Sequence, residues 1–235
     1  MNYTAEQRMT RLAQFIFESD AIEGIEDDMA VLTGQLAKQK KNGHVGAMLL
    51  LERIVQARGL ITEELTRKIQ GLITAEQHLK PGGPRLPRRY IGRYRPEGTS
   101  VVVGGRVCIP SQFVPTVMAE LLARVIRWQQ NAWFPEQDYN IRCVADFHFS
   151  FEIINPFVDG NGRTGRALAY YLMRWADLNP IVFTNHDKRA LYYPCFKNPD
   201  DSSLMQRYFF GKMTRDHQTD DATDEIADWQ NEGGR

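Results

Sequence analysis

The 235-residue chain contains no run approaching the roughly 18 apolar residues of a membrane-spanning helix. Its opening, MNYTAEQRMTRL, holds no apolar core of leader length, so a cytoplasmic setting is expected. Cysteine is scarce: Cys108, Cys143 and Cys195 are three residues, widely separated, and fit neither a disulfide framework nor a zinc site. Charge of either sign is not in excess. Lys and Arg number 29, Asp and Glu also 29. The bulk composition therefore offers no field that would gather nucleic acid or an anionic membrane, and no direct partner of either kind is evident. No GxxxxGK(S/T) occurs, which excludes a P-loop.

What the chain has is helical periodicity. Thr4 and Gln7 have capping-box spacing, and Met9, Leu12, Phe15 and Ile16 then recur at helix intervals to about Phe17. A second helix is predicted over Asp27–Lys41 with Asn42-Gly43 as its C-cap, and a third over Val45–Arg58, stopped by Gly59. A fourth begins near Thr62 and carries Leu65, Ile69, Leu72 and Ile73 on one face. KPGGPRLPRR then ends helical texture. In VVVGGRVCI, two β-branched runs (Val101, Val102 and Val103 on one side) flank Gly104-Gly105. That predicts a hairpin, because paired glycines accept the positive φ of a tight turn. Helices are predicted again over Val114–Gln130, Tyr139–Ile153 and Thr164–Ala176, with two short ones near Lys188–Phe196 and Asp200–Phe210. From Asp216 onward seven acidic residues accompany one arginine, the composition of a mobile tail. The expected class is mainly α, with one β-hairpin.

One loop stands out for its chemistry. INPFVDGNGRTGR, residues 154–166, sits between two predicted helices. Gly160 and Gly162 allow backbone conformations that turn successive N–H groups inward, which makes a nest for anions. A helix starting near Arg163 adds its positive end. Arg163 and Arg166 are three apart and share a face of that first turn. Two guanidiniums beside a helix start suit a polyphosphate. Asp159 repels phosphate but suits Mg2+, which takes few carboxylates and many phosphate oxygens. DGNG resembles the opening of an EF-hand loop, but the later acidic ligands and closing glutamate are missing. A plain interhelical turn would not require two arginines and a carboxylate.

HFSFEIINPFVDGNGRTGR, residues 148–166, closely resembles the signature of Fic proteins, a spaced histidine, Phe and Ile followed by HPFx(D/E)GNGRxxR. Asn155 to Arg166 matches that last part at every fixed position except the first. GRYRPEGTSVVVGGRVCIPSQFVPTVMAELL resembles the family's flap hairpin and the helix after it. The resemblance implies an α-helical protein that transfers AMP from ATP, with Mg2+, to a Ser, Thr or Tyr hydroxyl of a target protein. Carried over by position, Asp159 would hold the metal, and Gly160, Asn161 and Gly162 would line the anion hole. Arg163 and Arg166 would hold the outer phosphates, and Phe157 would anchor the loop. Tyr192 and Tyr193 fall where an aromatic residue approaches the adenine, and also where ordinary core residues would fall. The flap, Val101–Ile109, would clamp a target segment of unknown identity by strand addition. Family members of this layout often form homodimers.

The family's catalytic base is a histidine where this chain has Asn155. A carboxamide has no usable basicity near neutral pH, so chemistry should be impaired while nucleotide binding survives. His148, seven residues back, matches a structural histidine of the pattern. Near the N-terminus, ESDAIEGIE holds Ser19, Glu23 and Gly24. Alone it reads as a helix ending at a glycine. Beside the signature it resembles the inhibitory motif (S/T)xxxE(G/N), whose glutamate pairs with the second signature arginine, here Arg166. The implied layout is a helical region over 1–60 carrying that motif, a core over 61–211 and an acidic tail over 212–235. Two alternatives stay open: a nucleotide-binding regulatory pseudoenzyme, or transfer or removal of another phosphate-linked group.

Overall fold

A computed structural model describes residues 4–75, 86–103, 106–131 and 136–214. The architecture is mainly α. Helix α1 (Ala5–Ile22) starts with the expected capping box: Gln7 N–H donates to Thr4 Oγ1 at 3.2 Å and Thr4 N–H to Gln7 Oε1 at 2.8 Å. It runs about one turn past its expected end, because Ser19 and Ile22 continue the buried face of Leu12, Phe15 and Ile16. Glu23 closes it, and Gly24 takes φ +74°.

Helix α2 (Met29–Ala37) is shorter than expected at both ends. Asp28 caps it, accepting from Ala30 and Val31 N–H, and Gln39 at φ 50° ends the turn after it. Asn42 is therefore not the C-cap of α2 but the N-cap position of α3 (Gly43–Gln56). The Asn-Gly pair was a helix-stop signal that a left-handed glutamine had already supplied. Helix α4 (Glu63–Thr74) is capped by Thr62 and buries Leu65, Ile69 and Ile73 as its pattern predicts.

Two-residue strands β1 (Val102–Val103) and β2 (Arg106–Val107) pair antiparallel with Val102 opposite Val107. Cys108 N–H adds one bond to the Val101 carbonyl at 2.9 Å. This ladder is much shorter than the two β-branched runs suggested, and its tip, Gly104 and Gly105, lies outside the described residues. Val102 and Val107 are exposed, so no apolar face anchors a longer strand pair.

Helices α5 (Val114–Asn131), α6 (Gln137–Ile154) and α7 (Asn161–Trp175) follow. After them come a π-helical turn at Lys188–Tyr192, a 3-10 turn at Tyr193–Phe196 and a helix α8 over 203–214. The predicted short helix at 188–196 is thus a wide turn followed by a tight one, and the residues of the predicted acidic tail from 215 on lie outside the described set. Helix α7 is the axis of the fold. It packs on α1, α3, α4 and α6, and its Leu168, Tyr171 and Leu172 are fully buried. That places the start of α7, with its arginines, at the junction of α1, α4 and α6.

Candidate functional site

The loop between α6 and α7 is built from side chains that bond back to its own backbone. Asn155 ends α6 in the left-handed region, φ 50° and ψ 64°, which asparagine tolerates better than most residues. Its N–H reaches Phe151 O at 2.9 Å, and its carbonyl accepts Arg95 Nε at 3.0 Å. Asn161 folds inward: Oδ1 accepts Phe157 N–H at 2.8 Å, and Nδ2 donates to Phe157 O at 3.0 Å and Asn155 Oδ1 at 2.9 Å. Phe157 is fully buried and its backbone bridges Tyr94. Gln70 of α4 braces the loop from behind, donating to Asp159 O at 3.0 Å and accepting Gly92 N–H at 2.6 Å. Gly160 takes φ +76°, and a Cβ there would lie 2.5 Å from Thr74 Cγ2. No side chain caps the first turn of α7, so its N–H groups face the loop with the helix dipole behind them. The half-buried Asp159 carboxylate accepts Gly160 N–H at 2.7 Å.

The arginines of α7 meet carboxylates of α1. Arg166, 1% exposed, donates from Nη2 to Glu23 Oε1 at 2.7 Å and to Ser19 O at 2.9 Å, and from Nε to Ser19 Oγ at 3.0 Å. Burial works to raise the Glu23 carboxyl, but the guanidiniums of Arg166 and Arg163 and the Lys188 ammonium outweigh it and hold it below the usual range. The Glu23 side chain is 35% exposed, so solvent screens this pair in part. Its carboxylate lies over Gly162: a Cβ at that position would sit 2.4 Å from Glu23 Oε1 and 2.9 Å from Arg166 Nη1. Arg163 lies 3.9 Å from Asp20 Oδ1. Burial would raise the Asp20 carboxyl, but His44 and Arg163 bring it down to about 2.

Asp159, Gly162, Arg163 and Arg166 of the loop and Ser19 and Glu23 of the ESDAIEG segment therefore converge on one place. Tyr192 and Tyr193 separate. Tyr192 is buried in an aromatic cluster with its hydroxyl 2.8 Å from His148 Nε2, whereas Tyr193 is 45% exposed beside Lys188. Tyr192 is thus buried, with its hydroxyl beside His148 and its surroundings bordering Arg166. His148 is fully buried, and burial with the Arg166 charge pushes its pKa down to about 3, so it stays neutral. Five residues near the site escape the sequence: Asp20, Arg95, Gln70, His44 and Glu152. Arg95, Gln70 and His44 act through contacts 22 to 89 positions away, which no local spacing reveals. Glu152 is a carboxyl one turn before Asn155 whose Oε1 is buried without a hydrogen-bond partner; burial pushes it up to about 8. Among the described residues, no cluster of three or more His, Cys, Asp or Glu could hold a metal by itself.

Residues 60–173 match the model of the Fic/DOC family. The chain is 33% identical over 129 residues to the protein adenylyltransferase Fic of Drosophila grimshawi, covering 51% of this chain and 25% of that protein. It thus spans about a quarter of that relative. In three dimensions it resembles a Fic domain-containing signaling protein from Bacteroides thetaiotaomicron, with a TM-score of 0.70 at 17% identity over 88% of this chain and 85% of the other. A Fic family protein from Desulfovibrio desulfuricans gives 0.68 at 23% identity, over 94% and 67%. Both are likenesses of fold.

Proposed function

We propose, from the Fic/DOC family domain over residues 60–173, related to protein adenylyltransferases, that this chain is an adenylyltransferase scaffold restrained by α1. In this reading the site takes ATP, and the target hydroxyl belongs to a protein held along β1 and β2. The carrying observation is the Glu23 carboxylate lying over Gly162 and bonded to the buried Arg166. A carboxylate resting there occupies an anion cradle made of an uncapped helix start and two guanidiniums. The cradle's natural ligand is a phosphate chain, and Glu23 stands where an outer phosphate would bind.

The donor set fits Mg2+. Asp159 offers one half-buried carboxylate at the loop, and Mg2+ fills most of its octahedron from phosphate oxygens and water. Bound there, the ion would neutralise phosphate charge as a Lewis acid. Asn161 fixes the loop, Arg163 and Arg166 neutralise outer phosphates, and exposed Tyr193 rather than Tyr192 is free to approach the base.

Asn155 limits the chemistry. Its Oδ1 accepts from Asn161, and its amide cannot take a proton from an attacking hydroxyl. Loss of a general base costs about 10²–10⁴-fold, so transfer by this chain is expected to be very weak. The same bond favours a second reading, a nucleotide-binding regulator without turnover, because Asn155 now braces the loop. Removal of AMP from a target, or transfer of another phosphate-linked group, uses the same cradle. Titration calorimetry with ATP and Mg2+ tests the binding half: Glu23→Gly should bind about tenfold or more tightly than the parent chain, and Arg166→Ala should abolish the gain. If neither Glu23→Gly nor the parent binds ATP, the site is not a nucleotide site.

A further inference from the structure

Helix α1 ends with two carboxylates three residues apart, Asp20 and Glu23, and α7 begins with two guanidiniums three residues apart, Arg163 and Arg166. The helices meet so that the pairs align as two rungs: Glu23 with Arg166 at 2.7 Å, and Asp20 with Arg163 at 3.9 Å. We propose that Asp20 is a second restraint on the anion loop, holding Arg163 as Glu23 holds Arg166, so that full opening of the nucleotide site requires α1 to release both arginines. This rests on the nucleotide reading of the loop.

The second rung is the more enclosed one. Both of its side chains are at most 7% exposed, whereas Glu23 is 35% exposed. Water and salt therefore screen the Asp20–Arg163 rung less than the first. Asp20 is also fixed from behind. His44 Nδ1 of α3 lies 3.0 Å from each of its oxygens. A carboxylate held by a histidine of α3 keeps its direction when Glu23 is removed. The Asp20 backbone carbonyl accepts Glu23 N–H at 2.9 Å and Ile25 N–H at 3.0 Å, so the same residue shapes the turn that presents Glu23. A purely structural role for Asp20, tying α1 to α3 through His44, would not act through Arg163, and that difference is measurable.

Titration calorimetry with ATP and Mg2+ on the whole chain compares the parent, Asp20→Asn, Glu23→Gln and the double variant. Asp20→Asn keeps a hydrogen-bonding oxygen for His44 while removing the charge from Arg163. In the Glu23→Gln background it should tighten ATP by about threefold to tenfold, the scale of a partly screened ion pair. The gain should vanish when Arg163→Ala is added. An unchanged affinity, or a gain that persists without Arg163, overturns the proposal. Absence of ATP binding in Glu23→Gly, which clears the side chain from over Gly162, would instead reject the nucleotide reading. Should Asp20→Asn fail to fold, the ring resonances of His44 in Glu23→Gln report on Asp20 directly. Saturation with ATP and Mg2+ should move them as Arg163 leaves Asp20, and fixed resonances overturn the proposal.

Discussion

Glu152 sits one turn before Asn155 with Oε1 buried and without a hydrogen-bond partner, 2.1 Å from where a Cβ on Gly165 would lie. Burial is the main reason its pKa is pushed up to about 8, with Arg166 opposing and Glu23 adding. A folded-state pKa raised above the ordinary 4.5 means that the folded chain binds the proton more tightly than the unfolded one. The stability this confers is complete below the ordinary value and is lost as pH rises towards 8. Glu152→Gln should therefore match the parent in unfolding free energy near pH 4 and exceed it near pH 8, measured by denaturant titration. A difference that does not change with pH would contradict the buried-carboxyl account. At this scale much of the site was legible: Asp159, Gly160, Gly162, Arg163 and Arg166 announce themselves by residue type and spacing. Asp20 and His44 did not, because a carboxylate near a helix end and a lone histidine are ordinary until the fold brings them within 3.0 Å.

Elements were legible where their signals are local. The Thr4 capping box and the apolar stripe of α4 are encoded within a few residues, and both form as read. Asn42-Gly43 misled because left-handed termination is a degenerate signal. Gln39 provides it three residues earlier, at φ 50°, leaving Asn42 to begin α3. The strands were over-read because β-branched residues favour extension only where a face is buried, and Val102 and Val107 are exposed. What positions this region is Arg95, 3% exposed. It donates to the carbonyls of Asn155 and Ile154 at the end of α6, and to Thr99 and Ile109 on either side of the strand pair. Removing it would orphan buried carbonyls. Arg95→Ala should cost about 3 kcal/mol of unfolding free energy, since charged hydrogen bonds contribute about 1.5–3 kcal/mol each and are not additive. A loss below about 1 kcal/mol would show that the strand pair and α6 hold together without it.

Across the whole molecule, a single buried apolar cluster runs from Leu12 of α1 to Met213 of α8. The segment that meets the loop is thus the end of a helix that also builds the core, with Leu12, Phe15 and Ile16 each at most 3% exposed. On the proposed reading, release of Asp20 and Glu23 would disturb the last turn of α1, where Ser19 and Ile22 are themselves buried, and the turn at Gly24, φ +74°. Among the described residues no helix is long and apolar enough to cross a membrane. Glu23 lies over Gly162; on the proposed reading it and Asn155 are two separate limits, separable by substitution. The most direct measurement is intact-mass analysis after incubating the chain and a target lysate with ATP and Mg2+. Asn155→His combined with Glu23→Gly should add the mass of one AMP moiety to the chain itself or to a target, while the parent and either single variant add far less. No AMP addition by the double variant, despite measurable ATP binding, would contradict the adenylyltransferase account and leave the site as a nucleotide-binding regulator.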